Sequence, residues 1–239
     1  MSKTLCFTLL CSALLCAAQT DPALEQIAKQ RDARRIEARD AVAVYMDLFK
    51  KGPSAADLAR LGDEYLKMSK PIQAIEQYSR ALELQADLAP AVKGRETATR
   101  DLEEKNALIE KFQAQEEQEN KPEFVCRRAA VLFHLGYMGD AVDIIHEAEK
   151  RFVGNDELLG LEATFKAGIA VDTIVVKSVL RDFYQAIASK EADKALTNLA
   201  EYQFFSLGTG NPGKLIQLVG ETFPDQCDPN KIKAALGVK

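Results

Sequence analysis

The spacing of residues 58–81 constrains the fold of this chain more than any other feature of its sequence. Apolar and small residues recur there at intervals of three and four on either side of Lys70-Pro71: Leu58, Leu61, Gly62 and Tyr65 before it, and Ala74, Tyr78 and Ala81 after it. Such intervals place side chains on one face of an α-helix. Small residues let two backbones approach each other, and large ones interlock between them. The segment therefore predicts two amphipathic helices packed as an antiparallel pair.

This pattern resembles one unit of the tetratricopeptide repeat (TPR) family, whose motif is Trp-x-x-Leu-Gly-x-x-Tyr followed by Ala-x-x-x-Phe. Leu58 stands at the Trp position and Tyr78 at the Phe position. Counting the family's period of about 34 residues gives one repeat over 55–88, and the pattern returns from Pro122. There Ala129 takes the place of Gly62, and Ala141, Ile145 and Ala148 take the places of Ala74, Tyr78 and Ala81. The resemblance implies an all-α superhelix of helical hairpins (a right-handed α-solenoid) that binds other proteins.

The remaining segments are also predicted to be helical, since tryptophan is absent and helix-forming residues dominate. We expect a signal peptide over 1–18, an N-terminal helix within 19–52, a TPR-like domain over 53–170 and irregular capping helices over 171–239. Within the repeat domain, residues 90–119 predict a single long helix, and 155–170 predict a helix that ends near Ala170. In the N-terminal helix, the charged residues 25–40 indicate a solvated face, whereas 41–49 predict a face that docks on the core.

The first residues have the pattern of a secretory signal. Lys3 precedes an apolar run from Thr4 to Ala17, and small residues at Cys16-Ala17-Ala18 suit cleavage. An alternative is a lipoprotein signal in which Cys16 is lipidated and tethers the protein to a membrane, although Leu15 fits that pattern poorly. We therefore expect an exported protein, in the periplasm or outside the cell.

Two cysteines lie beyond the signal segment, Cys126 and Cys227. In a compartment that permits disulfides they could form a bridge, or they could be two separate small apolar residues. The single sequence favours two separate residues.

The charged and nucleophilic residues predict no catalytic centre and no cofactor. The net charge of −5 disfavours nucleic acid as a partner, and the two histidines fall in no nucleophile–base signature. Residues 208–214 have the spacing of a phosphate-binding loop, but Leu215 replaces the hydroxyl that would bind magnesium, so a turn is the favoured interpretation. Asp143, His146 and Glu149 share one helix face and could bind a metal, but we expect them to face solvent because Ile145 and its neighbours occupy the interior.

The resemblance places partner-binding residues on the first helix of each repeat. The set comprises Asp63, Leu66 and Lys67 on the first repeat, Lys93, Thr97 and Arg100 on the second, and Arg127, Ala130 and Phe133 on the third. The lysine–asparagine clamp with which some TPR proteins hold a carboxyl terminus is replaced here by Ala59 and Asp63. The predicted groove is mildly basic with apolar side chains, and it suits a protein segment with acidic residues.

Two other functions remain open at the level of the sequence. The narrow apolar seam of the helix over 90–119, with Leu102, Leu108, Ile109 and Phe112, favours a self-associating structural protein of the cell envelope. An enzyme, or a protein that binds metal or nucleotide through its C-terminal region, is the third hypothesis.

Overall fold

A computed structural model of the protein describes residues 22–206 and 212–238. The described residues form eleven α-helices and no β-strand, which confirms the expected all-α class. The helices are α1 Pro22–Glu37, α2 Arg39–Lys51, α3 Ala55–Lys67, α4 Pro71–Leu84, α5 Ala89–Glu119, α6 Pro122–Leu135, α7 Met138–Arg151, α8 Asp156–Ala188, α9 Ala192–Phe205, α10 Gly213–Thr222 and α11 Pro229–Leu236. The expected signal peptide, including Cys16, and most of the loop at 208–214 lie outside the described residues.

Three helical hairpins, α3–α4, α6–α7 and α8–α9, close with the same backbone turn. One or two residues after each first helix, the backbone adopts a left-handed φ: 55° at Ser69, 96° at Gly136 and 55° at Lys190. The next amide then donates to a carbonyl in the last turn of that helix, at 2.9 Å (Lys70 to Tyr65), 3.0 Å (Tyr137 to Leu132) and 2.9 Å (Glu191 to Ala186). This Schellman geometry ends a helix within one turn. Each pair of helices can therefore fold back at once and pack antiparallel.

The side chain of Tyr78 fixes the distance between α3, α4 and α5. It is fully buried. A Cβ added at Gly62 would lie 2.7 Å from the Tyr78 ring, and one added at Gly94 would lie 2.4 Å from it. The ring of α4 therefore lies directly against the backbones of α3 and α5. Only glycine at both positions allows this approach.

Two hydrophobic cores share the long helix α8. The first core contains Leu58, Tyr78 and Ala98 of α3–α5 together with residues of α2 and α8–α11. The second lies between α6, α7 and the first half of α8, around Ile145 and Leu158. Helix α8 contributes Phe165 to the second core and Phe183 to the first. Cys126 and Cys227 are buried free thiols in different cores, which confirms the interpretation as separate residues.

The end of the chain packs against its beginning. Helix α9 and helix α11 both contact α2, and α8 contacts α1. Tyr65 of α3 stacks on Phe204 of α9 with ring centroids 5.1 Å apart, and its hydroxyl lies 3.0 Å from that of Tyr45 in α2. The C-terminal helices, expected to cap the last repeat, thus cover the N-terminal helices.

Most described residues of α1 are exposed, as expected over 25–40, but Arg35 is an exception. Its Arg35 donates to Asp182 of α8 at 2.7 Å, and to Glu201 at 2.5 Å and Asn198 at 3.2 Å on α9. The charge of Arg35 therefore binds the N-terminal helix to the C-terminal hairpin. In the second half of the expected helix, Ala41, Val42, Tyr45, Leu48 and Phe49 are buried as predicted.

Two helix boundaries also differ from expectation. The N-terminal helix is interrupted at Ala38, which separates α1 from α2 while keeping nearly helical angles. Helix α8 continues without a break from Asp156 to Ala188, so the domain boundary expected at residue 170 falls within it. The long helix expected over 90–119 is confirmed as α5.

The first prediction concerns Gly94. Alanine is favoured over glycine in a helix interior by about 1 kcal/mol, but at Gly94 the new Cβ would lie 2.4 Å from the ring of Tyr78. Gly94→Ala should therefore lower the free energy of unfolding by about 1–3 kcal/mol, the usual cost of overpacking. Gly160→Ala in α8 is the matched control, because nothing lies within 4 Å of its added Cβ. Urea denaturation should show Gly160→Ala unchanged or stabilised, and equal effects at the two sites would contradict the packing.

The second prediction concerns Arg35. Replacement by Met removes the partner of Glu201, whose side chain is 10% exposed, and should lower the free energy of unfolding at pH 7 by about 1.5–3 kcal/mol. Arg34→Met is the control, since Arg34 is half exposed and its ion pairs lie at 3.3 Å and 4.0 Å. Its cost should stay below about 1 kcal/mol.

The cost of Arg35→Met should also depend on pH. Burial by itself raises the pKa of Asp182, but hydrogen bonds from Arg35 and Arg181 outweigh burial and hold that pKa below its ordinary value. A lowered carboxyl pKa stabilises the fold above the unfolded-state value of about 4, and the stabilisation is lost as pH falls through the folded-state value. Denaturation of both proteins at pH 7 and near pH 3 should therefore show a smaller difference in acid. A larger difference in acid would be inconsistent with this ion pair.

Candidate partner-binding surface

The outward face of α3 contains the predicted residues of the first repeat. The buried residues of α3 share one face of the helix, and Asp63 and Lys67 lie on the other, exposed face. Asp63, Leu66 and Lys67, together with Arg60 and Glu64, line a shallow depression of about 600 Å³. Leu66 is half-buried at its wall, and Asp63 and Lys67 are exposed. The depression combines one apolar side chain with charges of both signs.

Asp63 is held in place by the same tyrosine that separates the helices. The Tyr78 hydroxyl donates to Asp63 Oδ1 at 2.6 Å. Burial, followed by this carboxylate, raises the pKa of Tyr78 well above its ordinary value, so the hydroxyl keeps its proton and remains a donor. Asp63 is therefore a fixed negative group at the edge of the depression.

Helix α5 places the predicted residues of the second repeat beside α3. Asp63 directly follows Gly62 and Lys93 directly precedes Gly94, and both glycines contact the Tyr78 ring. Lys93, Thr97 and Arg100 lie at helical spacing on one face of α5. The Thr97 hydroxyl donates to the Lys93 carbonyl at 3.0 Å, an ordinary contact within a helix. We call Asp63, Leu66, Lys67, Lys93, Thr97 and Arg100 the α3–α5 surface.

The charges of this surface differ in how they are paired. Lys67 Nζ lies 2.6 Å from Glu64 Oε1, and the hydrogen bond to Glu64 raises the pKa of Lys67. Lys93 and Arg100 are exposed, and neither forms an ion pair with any described residue. The mildly basic character expected of the groove therefore comes from α5.

The predicted residues of the third repeat lie in different surroundings. Phe133 stacks on Phe165 of α8, with ring centroids 4.3 Å apart and an interplanar angle of 6°, and Ala130 packs against the second core. Arg127 stays exposed, with its guanidinium 6.0 Å from the centre of the Phe112 ring of α5. Helix α8 thus covers the face of α6 on which Phe133 was expected to be available to a partner.

Asp143, His146 and Glu149, which were expected to share one face of α7, are joined there by a residue of α8. Asp143 and His146 are exposed as expected, and Glu149 is half-buried. His146 and Glu149 lie beside Glu162 of α8. The three side chains offer one ligand atom each, and all three atoms lie within 4.8 Å of one another. Glu162 could not be predicted as part of this group, because only the packing of α7 on α8 brings it beside His146 and Glu149.

Comparison with protein-family models, with curated proteins and with solved structures gave no match. Among the described helices, none combines the length and the apolar composition that crossing a bilayer requires.

Proposed function

We propose that this protein is an adaptor of the TPR type, without catalytic activity, that binds a segment of another protein through its α3–α5 surface. Its fold would be a short right-handed superhelix whose ends are joined. The three hairpins with one shared turn support this proposal, as do the contacts of α3 with α5 and of α6 with α8. Contacts between alternate helices are those that stacked helical repeats make.

The chemistry of the partner follows from the surface. The proposal rests on Lys93 and Arg100, which are exposed on α5 and form no ion pair with any described residue, and on Leu66, which lines a depression on the neighbouring helix α3. A segment with acidic residues and at least one apolar side chain would complement both features. Asp63 would repel a segment with acidic residues at every position, and so favours a mixed one.

The place of action is proposed from the N-terminal residues alone. The pattern over 1–18 is that of a secretory signal, so the adaptor would act on an exported protein of the cell envelope. Lipidation of Cys16 would tether it to a membrane.

The third prediction tests the surface by charge reversal. The protein is immobilised and used to capture proteins from an envelope extract, which are then quantified by mass spectrometry. The double variant Lys93→Glu, Arg100→Glu should reduce the recovery of at least one captured protein by about tenfold or more, equivalent to about 1.4 kcal/mol of binding free energy. Raising the salt concentration should weaken the same interaction, because exposed charges are screened.

The matched control changes the same charge elsewhere. Lys214 and Lys231 are exposed on α10 and α11, away from α3 and α5, and the variant Lys214→Glu, Lys231→Glu should capture the same proteins as the unmodified chain. If both double variants retain every captured protein equally, the α3–α5 surface is not the binding site.

Self-association through α5 is a second candidate. It is favoured by Leu108, which is 40% exposed, and by the half-buried Ile109 and Phe112 beside it. The fourth prediction separates the two: light scattering should give the mass of one chain at every concentration for the adaptor. A mass that rises with concentration, and returns to one chain in Leu108→Glu, would favour self-association.

A further inference from the structure

The contact between α7 and α8 brings together three side chains that ligate metal ions. His146 Nδ1 lies 3.8 Å from Glu162 Oε1 and 3.9 Å from Glu149 Oε2. His146 and Glu149 are three residues apart on α7 and share one face, and Glu162 faces them from α8. Ile145, Ala148 and Leu158 are fully buried in the adjoining core. The cluster therefore lies at the edge of a well-packed helix pair.

The polar atoms of the cluster do not satisfy one another. Distances of 3.8 and 3.9 Å are too long for hydrogen bonds between the imidazole and the carboxylates. Glu149 Oε1 is buried and has no hydrogen-bond partner among the described residues. Glu162 Oε2 is bound by Lys166 at 2.8 Å, which leaves Oε1 directed at His146. Two carboxylates, 21% and 14% exposed, thus converge with only one of their four oxygens in a close ion pair.

A divalent cation would resolve this arrangement. Zinc binds imidazole nitrogen and carboxylate oxygen at about 2.0–2.2 Å, so two ligands of a tetrahedral site lie about 3.3 Å apart. The separations of 3.8 and 3.9 Å from His146, and of at most 4.8 Å between any two ligand atoms, exceed that value, so the side chains would rotate toward a bound ion. His146 is 60% exposed, which gives an ion access from solvent. Mixed nitrogen and oxygen donors suit Zn²⁺ and its neighbours better than Mg²⁺ or Ca²⁺, which prefer oxygen alone.

We propose that His146, Glu149 and Glu162 form a binding site for one divalent transition-metal ion of the zinc class. The ion links α7 to α8, with solvent completing its coordination. The site is on the second core and is independent of the α3–α5 surface.

The fifth prediction is tested by adding zinc to the full chain. Calorimetric titration with ZnCl₂ should show one ion bound through this site, and the thermal midpoint should rise with zinc concentration because the ion binds the native state. His146→Ala and Glu162→Gln should each weaken binding by at least about tenfold, as loss of a ligand costs no less than loss of its supporting residues. His146 is exposed, so its variant should fold like the unmodified chain.

Two control variants replace a glutamate and a histidine that lie outside the cluster. Glu147 follows His146 in the chain but pairs with Lys150, so Glu147→Gln is the first control. The second is His134→Asn, which removes the chain's other histidine, an exposed residue. Both should bind zinc normally. Cobalt should give visible bands without thiolate charge transfer, which distinguishes this site from the cysteines. Absence of zinc binding, equal binding by Glu162→Gln and the unmodified chain, or thiolate bands with cobalt would each overturn the proposal.

Discussion

A pair of helices cannot cover its own apolar stripe, so every hairpin in this chain requires another helix beside it. Within the chain the next helix supplies that cover: Tyr78 of α4 packs against both α3 and α5. The N-terminal and C-terminal helices also pack on each other: Tyr65 of α3 stacks on Phe204 of α9, and Arg35 of α1 forms ion pairs with α8 and α9. One constraint thus explains both the stacking and the closure of the first core.

The hairpins could be predicted from the sequence because their signals are local. Gly62, Tyr78 and Ala81 match positions of the TPR motif that the sequence resembles. The Tyr78 ring is buried between Gly62 and Gly94, which is the packing expected from that motif. The α8–α9 hairpin lacks this motif in the sequence, although Lys190 has the same left-handed φ as Ser69. A lysine with a left-handed φ gives no sequence signal for a turn, whereas a glycine such as Gly136 does.

Contacts between distant segments could not be predicted in this way. Arg35 lies in a run of mixed charges that has the composition of a solvated helix, and its partners are more than a hundred residues away. Glu162 is equally unremarkable on α8 until α7 places His146 opposite it. The same holds for Phe133, which was expected on an exposed face and is instead stacked on Phe165. In each case tertiary packing decides whether a charged or aromatic side chain meets water.

The packing of Tyr78 also determines what kind of surface α3 and α5 present. Tyr78 fixes the spacing of the two helices and the position of Asp63, so the backbone of this surface is preformed. Lys67 already forms an ion pair with Glu64, whereas Lys93 and Arg100 form no ion pair with any described residue. A partner would therefore gain new ionic contacts mainly on α5 and apolar contact mainly at Leu66. The orientation of a bound segment should follow from this asymmetry, with its acidic residues toward α5 and its apolar side chain toward α3.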